Sequence, residues 1–218
     1  MKDIENYLDI LELAGLFKDI SAEERGALLE CMNARILNVK KGQIILLTGK
    51  KLDFFGLVLA GLFHIIRENY NGNRSLIAAI TPGIIFAEAL CCAGVAKSPV
   101  TVIAAEDSCY MKLDFPHFLK TCTSLCSFHV RLIENMASII ARKNLMMQNK
   151  MEILELKTIR DKVMRYLETF SEADITLPYN RGEMAEFLCV ERSALSHELI
   201  KMKKDGLIDY KKNKFLLL

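Results

Sequence analysis
The sequence predicts an α+β chain: N-terminal helices, a jelly-roll-like β-roll, one long helix, and a small helical domain that closes on a β-hairpin. Three observations predict it. Between residues 31 and 120, short Ile/Val/Leu/Phe runs are cut by turn dipeptides. Between residues 124 and 157, apolar residues recur in heptads. Beyond residue 157, two short helical patterns stop at Asp205-Gly206 and are followed by two apolar strands that flank lysines.

The first zone reads as helix, with Leu8, Leu11, Leu16 and Phe17 at apolar positions and a capping box expected at Ser21-x-x-Glu24. The second is punctuated by Lys41-Gly42, Thr48-Gly49, Ala60-Gly61, Asn71-Gly72 and Pro82-Gly83. Short strands with frequent turns predict a closed or double-sheeted β domain. Asn71-Gly72 predicts a hairpin, because both residues accept positive φ.

In the third zone Ile133, Ala137, Ile140, Asn144, Met147, Met151 and Leu154 alternate spacings of 4 and 3. That is a heptad seam, in which one polar residue such as Asn144 fixes register. Leu132, Met136, Ile139 and Met146 form a second stripe on a neighbouring face. A helix with two apolar faces can serve two partners, its own β domain and a second copy of the chain, or present one wide core face in a monomer; the heptad spacing and Asn144 favour a homodimer.

From Asp161 to Phe170 a helix is predicted, then an extended piece, Ile175-Thr176-Leu177-Pro178, ended by proline. Met184, Ala185, Phe187 and Leu188 give one short helix. Cys189-Val190-Glu191 gives a tight connector, and Ser193–Lys203 a second helix with Leu195, Leu199 and Met202 inward. Leu207–Tyr210 and Phe215–Leu218 make a two-stranded wing. This is a winged helix-turn-helix. Arg192, Ser193, Ser196, His197 and Lys201 on its second helix are the candidates for base edges and phosphates, with Arg181 and Lys212 beside them. Residues 201–214 hold six lysines against Asp205 and Asp209, a local surplus suited to phosphate contact. Double-stranded DNA is the expected partner.

Composition agrees with this and narrows it. The chain has 218 residues, 51% hydrophobic and 26% charged, with a net charge of +2, which excludes collagen-like, low-complexity and polycationic classes but not a local DNA-binding patch. Acids interrupt the first turns, and no stretch reaches the ~18 apolar residues of a spanning helix. A cytoplasmic protein that does not contact membrane is therefore expected. Seven cysteines, an odd number, argue against a disulfide framework. Cys91-Cys92 and Cys122-x3-Cys126 are read either as thiol sensors or soft-metal ligands, or as reduced thiols packed like small hydrophobes. No zinc-type spacing occurs, and neither metal nor cofactor is expected. No nucleophile elbow, P-loop, HExxH or Rossmann fingerprint is present, so an enzyme is not expected.

With these motifs in place the chain resembles the Crp/Fnr family of bacterial transcription regulators along essentially its whole length. The resemblance rests on the glycine-punctuated β-roll, the segment PGIIFAEAL, the long heptad helix and, most specifically, VERSALSHEL. It implies a homodimer that binds a palindromic operator, recruits or blocks RNA polymerase, and answers to an effector in the β-roll. The implied division is 1–123 for the N-terminal helices and β-roll effector domain, 124–157 for the dimerisation helix and hinge, and 158–218 for the DNA-binding domain.

The resemblance places an effector pocket at Glu88, Lys97, Ser98, Met147 and Gln148. In cyclic-AMP-binding members a Gly-Glu pair opens the phosphate cassette and an Arg-Ser pair follows. Here the Gly is Ala87, Glu88 matches, and Ser98-Pro99 replace Arg-Ser, with Lys97 before them. Met147 and Gln148 stand where a Thr-Ser pair holds the base. Proline removes a hydroxyl and an N–H donor, so cyclic AMP is not the expected effector, which stays an unidentified small molecule. The iron–sulfur cysteine cluster of oxygen-sensing members is absent from the first thirty residues, and His64 and His117 are read as hydrogen-bonding histidines rather than haem ligands. His197 replaces an arginine common in the family, and Cys189 a turn glycine. The alternative is a redox- or metal-responsive regulator on the same fold.

Overall fold
The computed structural model describes residues 4–68, 74–119, 127–172 and 174–218. The Asn71-Gly72 turn, Cys122 and Cys126 lie outside them. The contacts divide the chain into two compact units, Met1–Ile66 with Ile80–Lys143, and Arg67–Ala79 with Asn144–Leu218.

The first unit opens with a 3-10 turn and α1 (Leu8–Leu13), then a second 3-10 turn and α2 (Ala22–Cys31). The predicted capping box is present: Ser21 Oγ accepts from the Glu24 N–H at 3.3 Å, and the Glu24 carboxylate from the Ser21 N–H at 2.9 Å. Strands follow as β1 (Arg35–Val39), β2 (Ile44–Leu46), β3 (Phe54–Ala60), β4 (Phe63–Glu68), β5 (Arg74–Ile80) and β6 (Ile85–Phe86). After α3 (Glu88–Cys92) come β7 (Thr101–Ala104), β8 (Ser108–Asp114), α4 (Phe115–Leu119) and α5 (Ser127–Glu155). The strands form two four-stranded sheets, β1-β8-β3-β6 and β2-β7-β4-β5. The β-roll is therefore double-sheeted, as the turn spacing predicts.

In β3 every residue from Phe54 to Leu59 is buried, because both faces of the strand are covered. Phe55, Leu57 and Leu59 join Cys109, Met111 and Leu113 of β8 against Leu132 and Met136 of α5 and Leu11, Leu16 and Phe17 of the N-terminal helices. On the other face Phe63, Phe86 and Tyr110 meet at centroid distances of 5.7–5.9 Å and join β4 to β6 and β8. Gly56 is required there, since a Cβ on it would lie 2.2 Å from the Phe86 ring. Gly61, with φ +82°, turns where a Cβ would meet the Ser108 backbone at 2.8 Å.

The two stripes of α5 differ. Leu132 and Met136 are buried, and Asn135 beside them donates to the Leu16 and Lys18 carbonyls at 3.0 and 2.8 Å. Met146, expected on that stripe, is 69% exposed. Along the seam Ile133, Ala137, Asn144, Met147 and Met151 are exposed, and Ile140 and Leu154 half-buried.

The second unit contains nearly all of β5, α5 from Asn144 onward, α6 (Ile159–Leu167), β9 (Asp174–Thr176), α7 (Arg181–Leu188), α8 (Arg192–Lys204), β10 (Ile208–Lys211) and β11 (Lys214–Leu217). The wing is three-stranded, in the order β10-β11-β9. This corrects the two-stranded expectation: the piece before Pro178 pairs antiparallel with β11, Ile175 opposite Phe215. A partner so distant in sequence leaves no local signature. Tyr166, Phe170, Tyr179 and Phe187 form an aromatic cluster under α6 and α7. Lys150 Nζ lies 3.8 Å from the Phe187 ring centroid and donates to the Leu76 and Ile77 carbonyls of β5, each at 2.9 Å.

Candidate nucleic-acid interface
Local capping sets the helix-turn-helix. Asn180 Oδ1 accepts from the N–H groups of Gly182 and Glu183 at 2.9 and 3.2 Å, and the Glu183 carboxylate returns a bond to the Asn180 N–H at 2.8 Å. At the other end of α7, Cys189 is left-handed, with φ 53° and ψ 48°. Glu191 then caps α8, accepting from the Ala194 N–H at 2.7 Å and from the Ser193 hydroxyl. Those bonds, the Ser193 hydroxyl first, hold its carboxyl down to about 2.

Leu195, Leu199 and Met202 are fully buried, so the opposite face of α8 is turned outward. Ser193, His197 and Lys201 follow each other at four-residue steps on that exposed face, with Arg192 beside them. Ser196 is half-buried, and its hydroxyl donates back to the Arg192 carbonyl at 2.9 Å. The protons of both serine hydroxyls are thus used within the chain. Their oxygens remain acceptors, suited to the amino groups of adenine or cytosine in a major groove.

Arg181 stands with the wing. Its guanidinium donates to the Lys212 carbonyl at 3.2 Å and lies 4.6 Å from the Tyr210 ring centroid. Lys212 occupies the wing turn with φ 58° and its side chain exposed. Asp209 is paired with Lys203, and Asp205 with Arg160. Lys201, Lys204, Lys211, Lys212 and Lys214 make no ion pair among the described residues, so these five cations stay open to phosphate.

Arg160 was not singled out by sequence reasoning. Its guanidinium bonds Glu198 at 2.7 Å and Asp205 at 2.8 Å, gripping the middle and the end of α8 from α6. Thirty-eight residues separate Arg160 from Glu198, and no local pattern marks such a pair.

The residues expected at an effector pocket fall in both units. Glu88 is 2% exposed and its ion-pair partner is Lys143, at 2.7 Å. Ser98 is equally buried, but its hydroxyl donates to the Val100 carbonyl at 2.7 Å and accepts from the Val100 N–H. Lys97 is exposed and forms an isolated bridge with Lys51. Met147 and Gln148 are exposed on α5 and belong to the second unit. Lys143 is the residue that sequence reasoning missed, because 55 residues separate it from Glu88 and no local pattern marks such a pair. His117 Nδ1 lies 3.2 Å from Asp114.

Cys91 donates its thiol to the Phe54 carbonyl at 3.2 Å, and burial first, then the neighbouring Cys92, pushes its pKa up to about 12. Among the described residues no three His, Cys, Asp or Glu side chains gather to hold a metal ion, and no helix is long and apolar enough to cross a membrane.

Comparison with known proteins matches residues 36–124 to the cyclic nucleotide-binding domain and residues 153–218 to the Crp-like helix-turn-helix domain. No curated protein sequence matches the chain. Solved structures similar to it include the c-di-GMP-responsive global regulator CLP of Xanthomonas campestris, 15% identical, TM-score 0.71, over 88% of this chain and 98% of that one. A CooA mutant from Carboxydothermus hydrogenoformans is 18% identical, TM-score 0.70, over 97% and 90%. FixK2 from Bradyrhizobium japonicum is 14% identical, TM-score 0.65, over 84% and 92%. At these identities the likeness speaks for the fold.

Proposed function
From a chain that belongs to the Crp/Fnr family of transcription regulators, we infer a sequence-specific regulator that binds a palindromic operator as a homodimer and answers to a signal sensed in its β-roll. One observation carries the reading: the exposed face of α8, with Arg192, Ser193, His197 and Lys201, is flanked by the unpaired lysines of the wing. Residues 158–218 are its DNA-binding part, 1–123 its sensing part, and 124–157 its dimerisation helix and hinge. The bare seam of α5 supports a second copy as partner, because an apolar stripe that includes Ile133, Met147 and Met151 at 42–59% exposure is costly in water. Two recognition helices so joined meet successive major grooves about 34 Å apart. RNA polymerase is the partner through which such binding is read out.

The signal is a small molecule other than cyclic AMP. The changes at Ser98-Pro99 and at Met147-Gln148 support this, as does the internal bonding of Ser98. The redox- or metal-responsive alternative has less support at Cys91, whose thiol is buried with a raised pKa.

The test is selection of binding sites from a random-sequence duplex library, followed by affinity and sedimentation measurements on the selected site. A palindrome bound by two copies is expected. Arg192→Ala or His197→Ala relaxes one base position by about 1–3 kcal/mol, whereas Lys212→Ala weakens all sequences alike and lowers the salt slope by about 1. No selective binding, or binding by single chains only, overturns the reading.

A further inference from the structure
One charge pair in the first unit sets a buried carboxylate against a half-buried ammonium. A carboxylate 2% exposed, as Glu88 is, does not persist without a counter-charge. The Lys143 ammonium supplies it at 2.7 Å and donates a second hydrogen bond to the Ile85 carbonyl. Three elements therefore meet on one ammonium: Lys143 from α5, Ile85 from β6 and Glu88 from α3. Phe86, two residues before Glu88, is locked between Phe63 and Tyr110. The Ser98 hydroxyl is closed on Val100.

We propose that Lys143 is a built-in ligand of the β-roll, occupying Glu88 in place of a small molecule and pinning α5 to the β6–α3 corner without an effector. This rests on the reading of the chain as a DNA-binding regulator and names how its β-roll is controlled. The pinned state is the DNA-competent one, and the signal acts by drawing Lys143 off Glu88. An anion could take Lys143 only by leaving Glu88 unpaired in the interior, which is strongly unfavourable. The displacing ligand is therefore one that brings its own cation, an amine or a guanidinium, to the carboxylate. Once α5 is released, only a fraction of molecules holds the competent arrangement, and apparent affinity falls by that fraction.

The experiment measures operator binding by fluorescence anisotropy on the site selected by the wild-type protein. Wild-type binding is expected to be unchanged by cyclic AMP at about 1 mM, a concentration that saturates sites with micromolar Kd. E88Q and K143Q are each expected to bind ~10-fold more weakly, and E88Q/K143Q no more weakly than the weaker single variant, because the two residues act as one unit. The double variant buries no charge, so it remains informative where a single variant fails to fold. Wild-type protein that binds only with cyclic AMP overturns the proposal, as does a folded E88Q/K143Q that binds like wild type. Wild-type protein that selects no site overturns the DNA-binding reading instead.

Discussion

Arg160 holds Glu198 of the recognition helix α8 at 2.7 Å while its other arm reaches Asp205 at 2.8 Å. The two acids lie in the middle of α8 and at its C-cap, so one guanidinium sets both the rotation and the axial position of the helix. Arg160→Lys cannot keep this fork, because an ammonium is a point donor. The network is partly exposed, so thermal stability should fall only slightly. Discrimination between the selected site and random DNA should fall more than non-specific affinity does. Competition binding at fixed salt checks this; equal loss on both DNAs would reduce Arg160 to a stabilising role.

Cys189 sits in a left-handed turn at φ 53° with an exposed side chain. A Cβ is strained there and glycine is not, although glycine also enlarges the entropy of the unfolded chain. Cys189→Gly should stabilise the protein by about 0.5–1 kcal/mol, a rise of about 1–4 °C in melting temperature. An unchanged or lower midpoint in calorimetry would contradict the strain argument.

Lys150 is half-buried, and desolvation lowers its pKa to about 8, with Cys189 opposing. Its ordinary value is 10.5. Between these values the unfolded chain holds the proton more tightly than the folded one. Stability linked to this group is therefore fully present above 10.5 and is lost as pH falls through 8. Wild type should gain on the order of 1–2 kcal/mol relative to Lys150→Gln between pH 8 and 10. Parallel urea titrations of the two proteins across that range decide it; parallel pH profiles would contradict the assignment.

The thiols should separate by environment. Cys91, with its pKa at about 12 and its hydrogen bond to Phe54, should resist alkylation at pH 8 in the native protein. The exposed Cys189 should react first, and Cys92, exposed but raised in pKa by its surroundings, more slowly. Mass spectrometry of peptides after timed alkylation gives the order. Rapid labelling of Cys91 without unfolding would revive a thiol-based switch at this pair.

The sequence by itself determined what short-range physics governs. The capping box at Ser21 and Glu24, the inward set Leu195, Leu199 and Met202, and the inward stripe of α5 from Leu132 to Ile139 could be read from spacing alone. The fold class followed, because turn chemistry and hydrophobic period alone separate a β-roll from a helical domain. Only the tertiary structure decided which charges meet. Lys143 and Glu88 are 55 residues apart, and Arg160 and Glu198 are 38 apart. β9 found β11 in the same way. Such pairs are selected by the geometry of elements already packed, where desolvation makes an unpaired charge or strand edge costly, and periodicity carries no trace of them.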